Sequence, residues 1–514
     1  MGRSVLISQP HVPSHIDNLL ARRVAFEVGL VVGRQGVGNR DFVLWLAPTP
    51  ENPDGPVLAQ HNVSKVGGKG EKKKGKLSGT GGVFELDVDW IVEHTSQVAR
   101  MLPGGLAVVG LYIFAPEDSY KGGLVQLSEA TRAVKACVTP KCHSAVHAAD
   151  PYEDQAMLLI HVDSDTSRYS VRHCNTGAKL GDGLHPAEYK FAAVLNQFHH
   201  LTCSYQVDLQ VVASKSSGKP LRAHAYAMLE AESARIQTAE AMMGQLVPSA
   251  EELLSTALVD TPWENCGGGP IPVRLFAQLA NTAALSNATG SCQGMCRLTG
   301  AVQAHAFAYA RESVGAATSL LKQDICQTLR ARLDLLCEEA DREAEEGEDE
   351  GEHGTAGVAN KAAHLMHHSV GDTTLQPSSL SLPRRVLLPW LDSLHLCDYL
   401  MRGEDAKDAL ERCKELLGYN LETTEDASTS VRVLENKDRC EIKVGKWNPT
   451  KLSAANPKQQ GSLRILEVGK APGSGIPWHA CTGLSTLIAI ISVGFAYMSL
   501  GTQEKACTLE EYMG

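Results

Sequence analysis

The strongest constraint on this chain is an uncharged run, Ala480 to Thr502 (ACTGLSTLIAIISVGFAYMSLGT). A helix needs about 20 predominantly apolar residues to cross a hydrocarbon layer about 30 Å thick, and the run is long enough. Trp478 stands at its start and Tyr497 near its end, where amphipathic rings favour the headgroup level. Lys443, Lys446, Lys451, Lys458, Arg464 and Lys470 precede it, whereas Glu504, Glu510 and Glu511 against a single Lys505 follow. Cytosolic flanks of membrane spans carry the excess of Lys and Arg, so the expected topology is a tail anchor with everything upstream in the cytosol. The competing reading is a buried core helix, because Gly483, Gly494, Gly501 and several Ser and Thr leave the run only moderately apolar.

A chain of 514 residues exceeds one ordinary domain, and two or three units are expected. Its hydrophobic content of 43% suits a globular body with a normal core, and a net charge of −11 argues against nucleic acid as the main partner. The opening MGRSVLISQPHVPSHIDNLL has no apolar segment long enough for a signal peptide. Leu6 occupies the position where an N-myristoylation motif needs Ser or Thr. The 14 cysteines are scattered rather than arranged as a framework, so in a cytosolic body they are expected as free thiols. The sequons at Asn62 and Asn287 would then never meet the glycosylation machinery.

Along the chain, Val24–Gly33 and Asp41–Pro48 read as strands joined by the turn RQGVGN. Gly33, Gly36 and Gly38 could form a phosphate loop, but no helix follows, so a hairpin turn is the better reading. His61–Gly82 sets six lysines from Lys65 to Lys76 among glycines; such a tract cannot build a core and reads as a mobile insertion. Asp89–Leu102 is helical, with Trp90, His94, Val98 and Met101 on one stripe and Asp87 or Asp89 able to cap it. Pro103-Gly104-Gly105 ends it, and Leu106–Phe114 follows as a continuous apolar run, the mark of a strand buried on both faces.

Leu124–Ala136 is again helical, and Met157–Val162, Tyr169–Cys174 and the alternating Leu201–Val212 read as strands. Leu221–Met243 is mostly helical, and CGGGPIP (Cys266–Pro272) marks a boundary. Strands near Val273–Leu279 and Cys296–Tyr309 precede a long helix from Glu312, with Leu321, Ile325, Leu329 and Leu336 on one face. Glu338–Glu352 is almost wholly acidic and, with the His/Ser-rich stretch to Ser381, reads as disordered. Arg384–Leu391 is strand-like, Glu404–Leu417 helical, and Glu422–Pro477 polar enough to read as a tether.

No constellation carries evident chemistry. Cys137, Cys142, His143 and His147 form the densest group of metal-capable residues, with Cys292 and Cys296 a second. Their spacings lie near zinc-site limits, yet neither group has a matching partner pair. His364, His367 and His368 fall in the stretch read as disordered. Cys266 precedes glycine amides, but a thiol nucleophile also needs a placed histidine and an orienting group, and nothing in the spacing supports His305 or Asp398. There is no G-x-S-x-G, Walker-A or H-E-x-x-H motif. No catalytic, cofactor-binding or metal-ligating residue is therefore nominated.

Glu93-His94, Gln97 to Leu106 (QVARMLPGGL) and Val108-Val109-Gly110 resemble the signature of the odorant-response-abnormal family. VGLVVGR, DFVLWLAPTP, LTCSYQVDLQVV, CRLTGAVQAHAFAYARE and LPRRVLLPWL continue the resemblance over most of Val24–Tyr399. The lysine-rich and acidic/histidine-rich insertions depart from it. The resemblance implies a tail-anchored protein of the endoplasmic reticulum, associated with folding and export of membrane receptors and with recruitment of the ubiquitin-fold-modifier-specific cysteine protease.

A more distant likeness bears on fold. Gly110 to Pro116 (GLYIFAP) is similar to the G-W-Y-H-S-H-P of MPN-domain metalloproteases, whose two histidines and a later aspartate hold zinc. Here the histidine positions are Ile113 and Ala115, and the aspartate position falls near Gln126. The position of the general base falls on Phe26, one step from Glu27. The likeness implies a catalytically dead MPN-like fold kept for interaction.

The combined expectation is an α+β chain: a mixed-sheet MPN-like domain over 1–215 with a basic insertion at 61–82, and a helical connector over 216–270. A second α/β unit over 271–420 carries a disordered insertion at 338–382, followed by a flexible tether over 421–477 and a transmembrane anchor over 478–502. The expected function is that of a non-enzymatic adaptor at the endoplasmic reticulum membrane, single-pass, with the bilayer engaged through 480–502. Its expected partners are the modifier-specific protease and receptor clients, with no cofactor, metal or nucleic acid. A membrane-tethered cysteine or zinc hydrolase and a receptor-specific chaperone are the contrasting readings.

Overall fold

The structure, a computed structural model, describes residues 4–37, 40–53, 55, 57–61, 83–139, 156–177, 183–214, 219–244, 247–259, 269–277, 292–349, 378–401, 403–419, 432–433 and 439–447. The first half supplies β1 (Ser4–Ser8), α1 (His11–Ala21), β2 (Glu27–Val37), β3 (Arg40–Pro48), β4 (Leu58–His61) and β5 (Val83–Leu86). It continues with α2 (Val88–Met101), β6 (Ala107–Ala115), α3 (Glu117–Val138) and β7 (Met157–Asp163). Then come β8 (Tyr169–Cys174), β9 (Leu184–Pro186) and β10 (Glu188–Ala192).

Eight of these strands form one mixed sheet in the order β10-β1-β3-β2-β6-β7-β8-β9. β9 and β10 stand at opposite ends of that order, yet only Ala187 separates them along the chain. The sheet must therefore curl until its ends meet, which removes the open edges an extended sheet would present. The Ala187 amide donates to the Val171 carbonyl at 2.9 Å, and the Tyr169 and Tyr189 rings approach to 6.2 Å across the join.

β6 matches the expectation of a doubly buried strand, with every residue from Val108 to Ala115 buried. Its inward side chains, Val109, Tyr112 and Phe114, pack with Val5, Ile7 and the Val12–Ile16–Leu19 stripe of α1. Its outward ones, Leu111, Ile113 and Ala115, pack beneath α2 and α3. α2 starts where the sequence allows, because the Asp87 carboxylate accepts from the Trp90 amide at 3.0 Å. His94, Val98 and Met101 are buried along it, while the half-buried Trp90 donates its Nε1–H to the Pro50 carbonyl.

The second half supplies β11 (Phe198–Ser214), α4 (Leu221–Gln237), β12 (Glu240–Met243), α5 (Leu254–Val259), β13 (Ile271–Phe276) and β14 (Cys292–Tyr309). α6 (Val314–Asp349), β15 (Ser378–Ser381), β16 (Arg384–Pro389), β17 (His395–Leu400), α7 (Ala406–Leu417), β18 (Arg432–Val433) and β19 (Arg439–Trp447) follow. The second sheet runs β12-β13-β11-β14-β19-β15, and α4, α5 and α6 cover its apolar face. Along β11, Leu201, Cys203, Tyr205, Val207 and Leu209 turn into that core, which is the alternation read from sequence.

Four sequence readings need correction. β11, grouped with the first unit, pairs with β14 in the second sheet; alternation says which side chains are buried, not which strand lies alongside. Glu240–Met243 leaves the helix and pairs with β13. Glu338–Asp349 is helical rather than disordered, because Glu and Ala favour helix and the segment prolongs a helix already nucleated by packing. Arg439–Trp447, read as tether, pairs with β14, and its alternating Cys440, Ile442 and Val444 are the signal for it.

The two halves interlock at the Pro103-Gly104-Gly105 loop. The Gly104 amide donates to the His305 carbonyl and the Phe307 amide donates back to Gly104, at 3.0 and 2.8 Å. Gly105 has φ +88°, and a Cβ there would lie 2.2 Å from the Phe307 oxygen, so only glycine fits. Beneath the loop, the buried Asp324 carboxylate accepts from Gly104 and His305 amides at 3.0 and 2.9 Å and from both Arg385 amino groups at 2.7 and 2.8 Å. β16, β17 and α7 then return to the first half, with Leu388, Leu396, Leu410 and Leu417 joining its outer core.

Among the described residues, no helix is long and apolar enough to cross a membrane. The Ala480–Thr502 run lies outside them, as do the lysine-rich tract, Cys142, His143, His147, Cys266 and the three histidines at 364–368.

Candidate functional site

The C-terminal end of β6, where the MPN likeness would put zinc, is the first place to look. Pro116 leads into α3, and Glu117 and Asp118 in its first turn suit the positive end of the helix dipole. The Ile113 and Ala115 side chains are fully buried and offer no lone pair. A histidine does stand here, from the neighbouring strand: His161 on β7 lies opposite Ile113, and its Nε2 donates to the Ala115 carbonyl at 2.9 Å.

The Tyr120 ring stacks on this imidazole at 4.0 Å and 4°, and a Glu117 oxygen lies 3.5 Å from Nδ1. Burial lowers the His161 pKa, so the ring is neutral at neutral pH. Asp163, two residues on, accepts from Thr166 and from the Asp165 amide. Among the described residues, no three His, Cys, Asp or Glu side chains converge as a metal site.

Glu27 does not reach this spot. It pairs across from Phe114 and so faces the inside of the curled sheet, away from Ile113 and Ala115. There it accepts from the Tyr112 hydroxyl at 2.7 Å and from His15 Nε2 at 2.8 Å. Burial and the adjacent Glu27 charge raise the Tyr112 pKa well above its usual range, so this hydroxyl stays a donor. Of the residues weighed and set aside from the sequence, Cys137 donates weakly to the Val92 carbonyl at 3.7 Å, His305 meets His200 at 2.9 Å, and Asp398 pairs with Arg412 at 2.9 Å. Cys292 and Cys296 both lie on β14.

His15 also borders an open cleft of about 440 Å³. Trp45 from β3, Trp390 and Asp392 from the turn after β16, and Tyr419 after α7 form its walls with His11 and His15 of α1. The Trp45 indole donates to the Leu417 carbonyl at 2.8 Å, and the Tyr419 hydroxyl donates to the Trp390 carbonyl at 3.0 Å. Trp45 meets Trp390 at 6.4 Å and Tyr419 at 5.4 Å, both edge to face. Aromatic walls with a polar rim are suited to recognition of an apolar group.

Apart from Glu27 and the α1 residues, among them His11 and His15, the residues of these two features fall within the stretch that a known family covers. The family model described as ODR4-like, Odorant response abnormal 4-like, matches residues 29–430. The chain belongs to this family. Among relatives named protein odr-4 homolog, that of Mus musculus is 24% identical over 84% of this chain and 87% of its own length. The Gallus gallus protein is 25% identical over 81% of this chain and 84% of its own length. That of Dictyostelium discoideum is 21% identical over 76% of this chain and 75% of its own. A crystal structure of UfSP from C. elegans superposes on 81% of this ODR4-like chain and 56% of its own at 9% identity and a TM-score of 0.35, which assigns no fold. The ODR4-like match begins in β2 and runs past α7, so it takes in the interlocking loop and both sheets except β1 and β19.

Proposed function

We propose that this ODR4-like chain is a non-enzymatic adaptor, tail-anchored in the endoplasmic reticulum membrane. In this reading it recruits the ubiquitin-fold-modifier-specific cysteine protease to that membrane and assists folding or trafficking of membrane receptors. The observation that carries the non-enzymatic part is the end of β6. Both imidazole positions of an MPN centre are buried apolar side chains, the Tyr120–His161 stack packs against that strand end, and Glu27 is tied to Tyr112 on the opposite face. Confining adaptor and protease to one surface raises their effective concentration, so weak binding suffices without a catalytic contribution from the adaptor.

The test is co-precipitation of the modifier-specific protease with the full-length chain from detergent-solubilised membranes, beside a chain truncated after Pro477 and one lacking Lys65–Lys76. The full chain and the loop deletion should both retain the protease at the membrane. The truncated chain should bind it in the soluble fraction. Absence of the protease from all three precipitates refutes the adaptor reading. Cleavage of a modifier fusion by the purified chain alone refutes the non-enzymatic one.

A further inference from the structure

The open cleft beside His15 has two unlike walls. Trp45 and Tyr419, both half-buried, stand at 83° with ring centroids 5.4 Å apart, so they form a corner. The buried Trp390 backs Trp45 at 71° and 6.4 Å. The Trp45 N–H and the Tyr419 O–H already go to the Leu417 and Trp390 carbonyls, so these side chains offer the cleft ring surface rather than donors. Burial first, with the Cys413 and Asp392 charges behind it, raises the Tyr419 pKa, so the phenol keeps its proton. Asp392 lines the same cleft, exposed, in the turn that joins β16 to β17. The Trp390 amide donates to the Leu394 carbonyl at 3.0 Å and the Leu394 amide to the Leu391 carbonyl at 2.7 Å, so a closed turn carries the carboxylate beside the aromatic wall. The other wall is α1. Its Val12–Ile16–Leu19 stripe is turned into the core, which leaves His11, Ser14 and Asn18, at i, i+3 and i+7, on the cleft.

We infer that this cleft binds a quaternary methylammonium group on a short, oxygen-bearing stem, the chemistry of choline and its esters. Ring faces attract a cation through their quadrupoles, and perpendicular rings beside a carboxylate present that attraction from more than one side. A quaternary ammonium has no N–H to satisfy, so it loses no hydrogen bond on entering a corner whose polar atoms are already engaged. A primary ammonium would lose them. The sequence beyond Tyr419, residues 420–431 (NLETTEDASTSV), adds Glu422, Glu425 and Asp426 and neither Lys nor Arg, a charge balance that also favours a cation. The hydroxyl of Ser14 and the amide of Asn18 suit an oxygen two carbons from the nitrogen, whereas the four-methylene stem of a trimethylated lysine would lie against polar groups. The volume of about 440 Å³ is roughly three times that of a cavity that accommodates benzene, so an esterified choline fits as well as the free base.

The test titrates the full-length chain in a maltoside detergent, at a pH above the ordinary imidazole range, and follows the ligand methyl signal by saturation-transfer NMR. Choline should bind saturably. Its uncharged isostere 3,3-dimethyl-1-butanol should bind about five-fold or more weakly, the ratio expected when a cation over aromatic rings is replaced by carbon. Asp392→Asn keeps the size and tolerates the φ of +46° at this turn; it should weaken choline about two-fold or more and leave the isostere unchanged. Tyr419→Leu should weaken choline about five-fold or more, and Tyr419→Phe, which keeps the ring, should bind within about two-fold of wild type. If Tyr419→Leu lowers the melting temperature of the unliganded chain, Asp392→Asn decides. Competition by glycerophosphocholine assigns the ligand to an esterified headgroup, and a response to choline alone assigns it to the free base. Equal binding of choline and its isostere, undiminished choline binding in Asp392→Asn, tighter binding by a trimethyl-lysine peptide than by choline, or no saturable binding overturns the inference.

Discussion

The buried carboxylate of Asp324 holds three segments distant in sequence: the Gly104 loop, β14 through the His305 amide, and β16 through Arg385. Its side chain and that of Arg385 are 1% and 2% exposed, so neither charge can fall back on water. Asp324→Asn removes the charge and turns an amide N–H₂ towards groups that are all donors. Arg385 is then buried without its counter-charge. Breaking one partner of a buried ion pair costs about 3–5 kcal/mol, a large share of the roughly 5–15 kcal/mol that stabilises a typical domain. Urea unfolding followed by far-UV circular dichroism should show that loss in the full-length chain. The double variant Asp324→Leu/Arg385→Met removes both charges and takes one acceptor from the His305 amide and one donor from the Gln303 carbonyl, at about 1–3 kcal/mol each, while the Gly104 amide keeps the His305 carbonyl. It should therefore be less destabilised than the sum of its single variants by about 2 kcal/mol or more. A cost below about 1 kcal/mol for Asp324→Asn, or strict additivity in the cycle, would refute the view that this pair clamps the two halves.

Further outcomes follow from other buried groups. His94 is buried, with Nε2 at 2.7 Å from the Leu416 carbonyl, and burial lowers its pKa to about 4. Its folded pKa lies below the unfolded value, so its stability contribution is complete above about pH 6.5 and is lost as pH falls towards 4, by about 3 kcal/mol at most. The difference in urea midpoint between wild type and His94→Gln should narrow over that window, and a constant difference would show that His94 titrates normally. Gly105→Ala adds a Cβ 2.2 Å from the Phe307 oxygen at positive φ and should cost more than about 2 kcal/mol by thermal unfolding; near-neutral stability would place the loop elsewhere. Val109→Asp puts a charge into the core inside the curled sheet and should abolish folding and protease co-precipitation while leaving membrane targeting intact; normal binding would mean that β6 is not core.

What could be read in advance was local. β6 announced itself because Leu106–Phe114 contains no polar group but the Tyr112 hydroxyl, and α2 because Asp87 precedes a stripe at helical spacing. α1 went unread: HVPSHIDNLLA has Pro13 in its first turn and five polar side chains, and its Val12–Ile16–Leu19 stripe has meaning only once a curled sheet surrounds it. The aromatic cleft was invisible for a different reason. Trp45 lies hundreds of residues before Trp390 and Tyr419, which are themselves 29 apart, and only the return of β16 to α7 onto the first half brings them together. His161 illustrates the same limit, since its relation to Ala115 depends on the parallel pairing of β7 with β6. The absence of imidazoles at Ile113 and Ala115 was legible; what occupies the strand end in their place was not.

The closure of the first sheet also bears on how the chain is made. β1 is flanked on one side by β3 and on the other by β10, with Ser4 paired to Glu188. Its β3 partner emerges early, but the other edge of β1 stays unpaired until 184 further residues (188 − 4) have been synthesised. At roughly 5–20 residues per second, that edge, with Val5 and Ile7 on its apolar face, is open for about 10–40 s. Over that interval the nascent chain carries a ready template for strand addition by a neighbour.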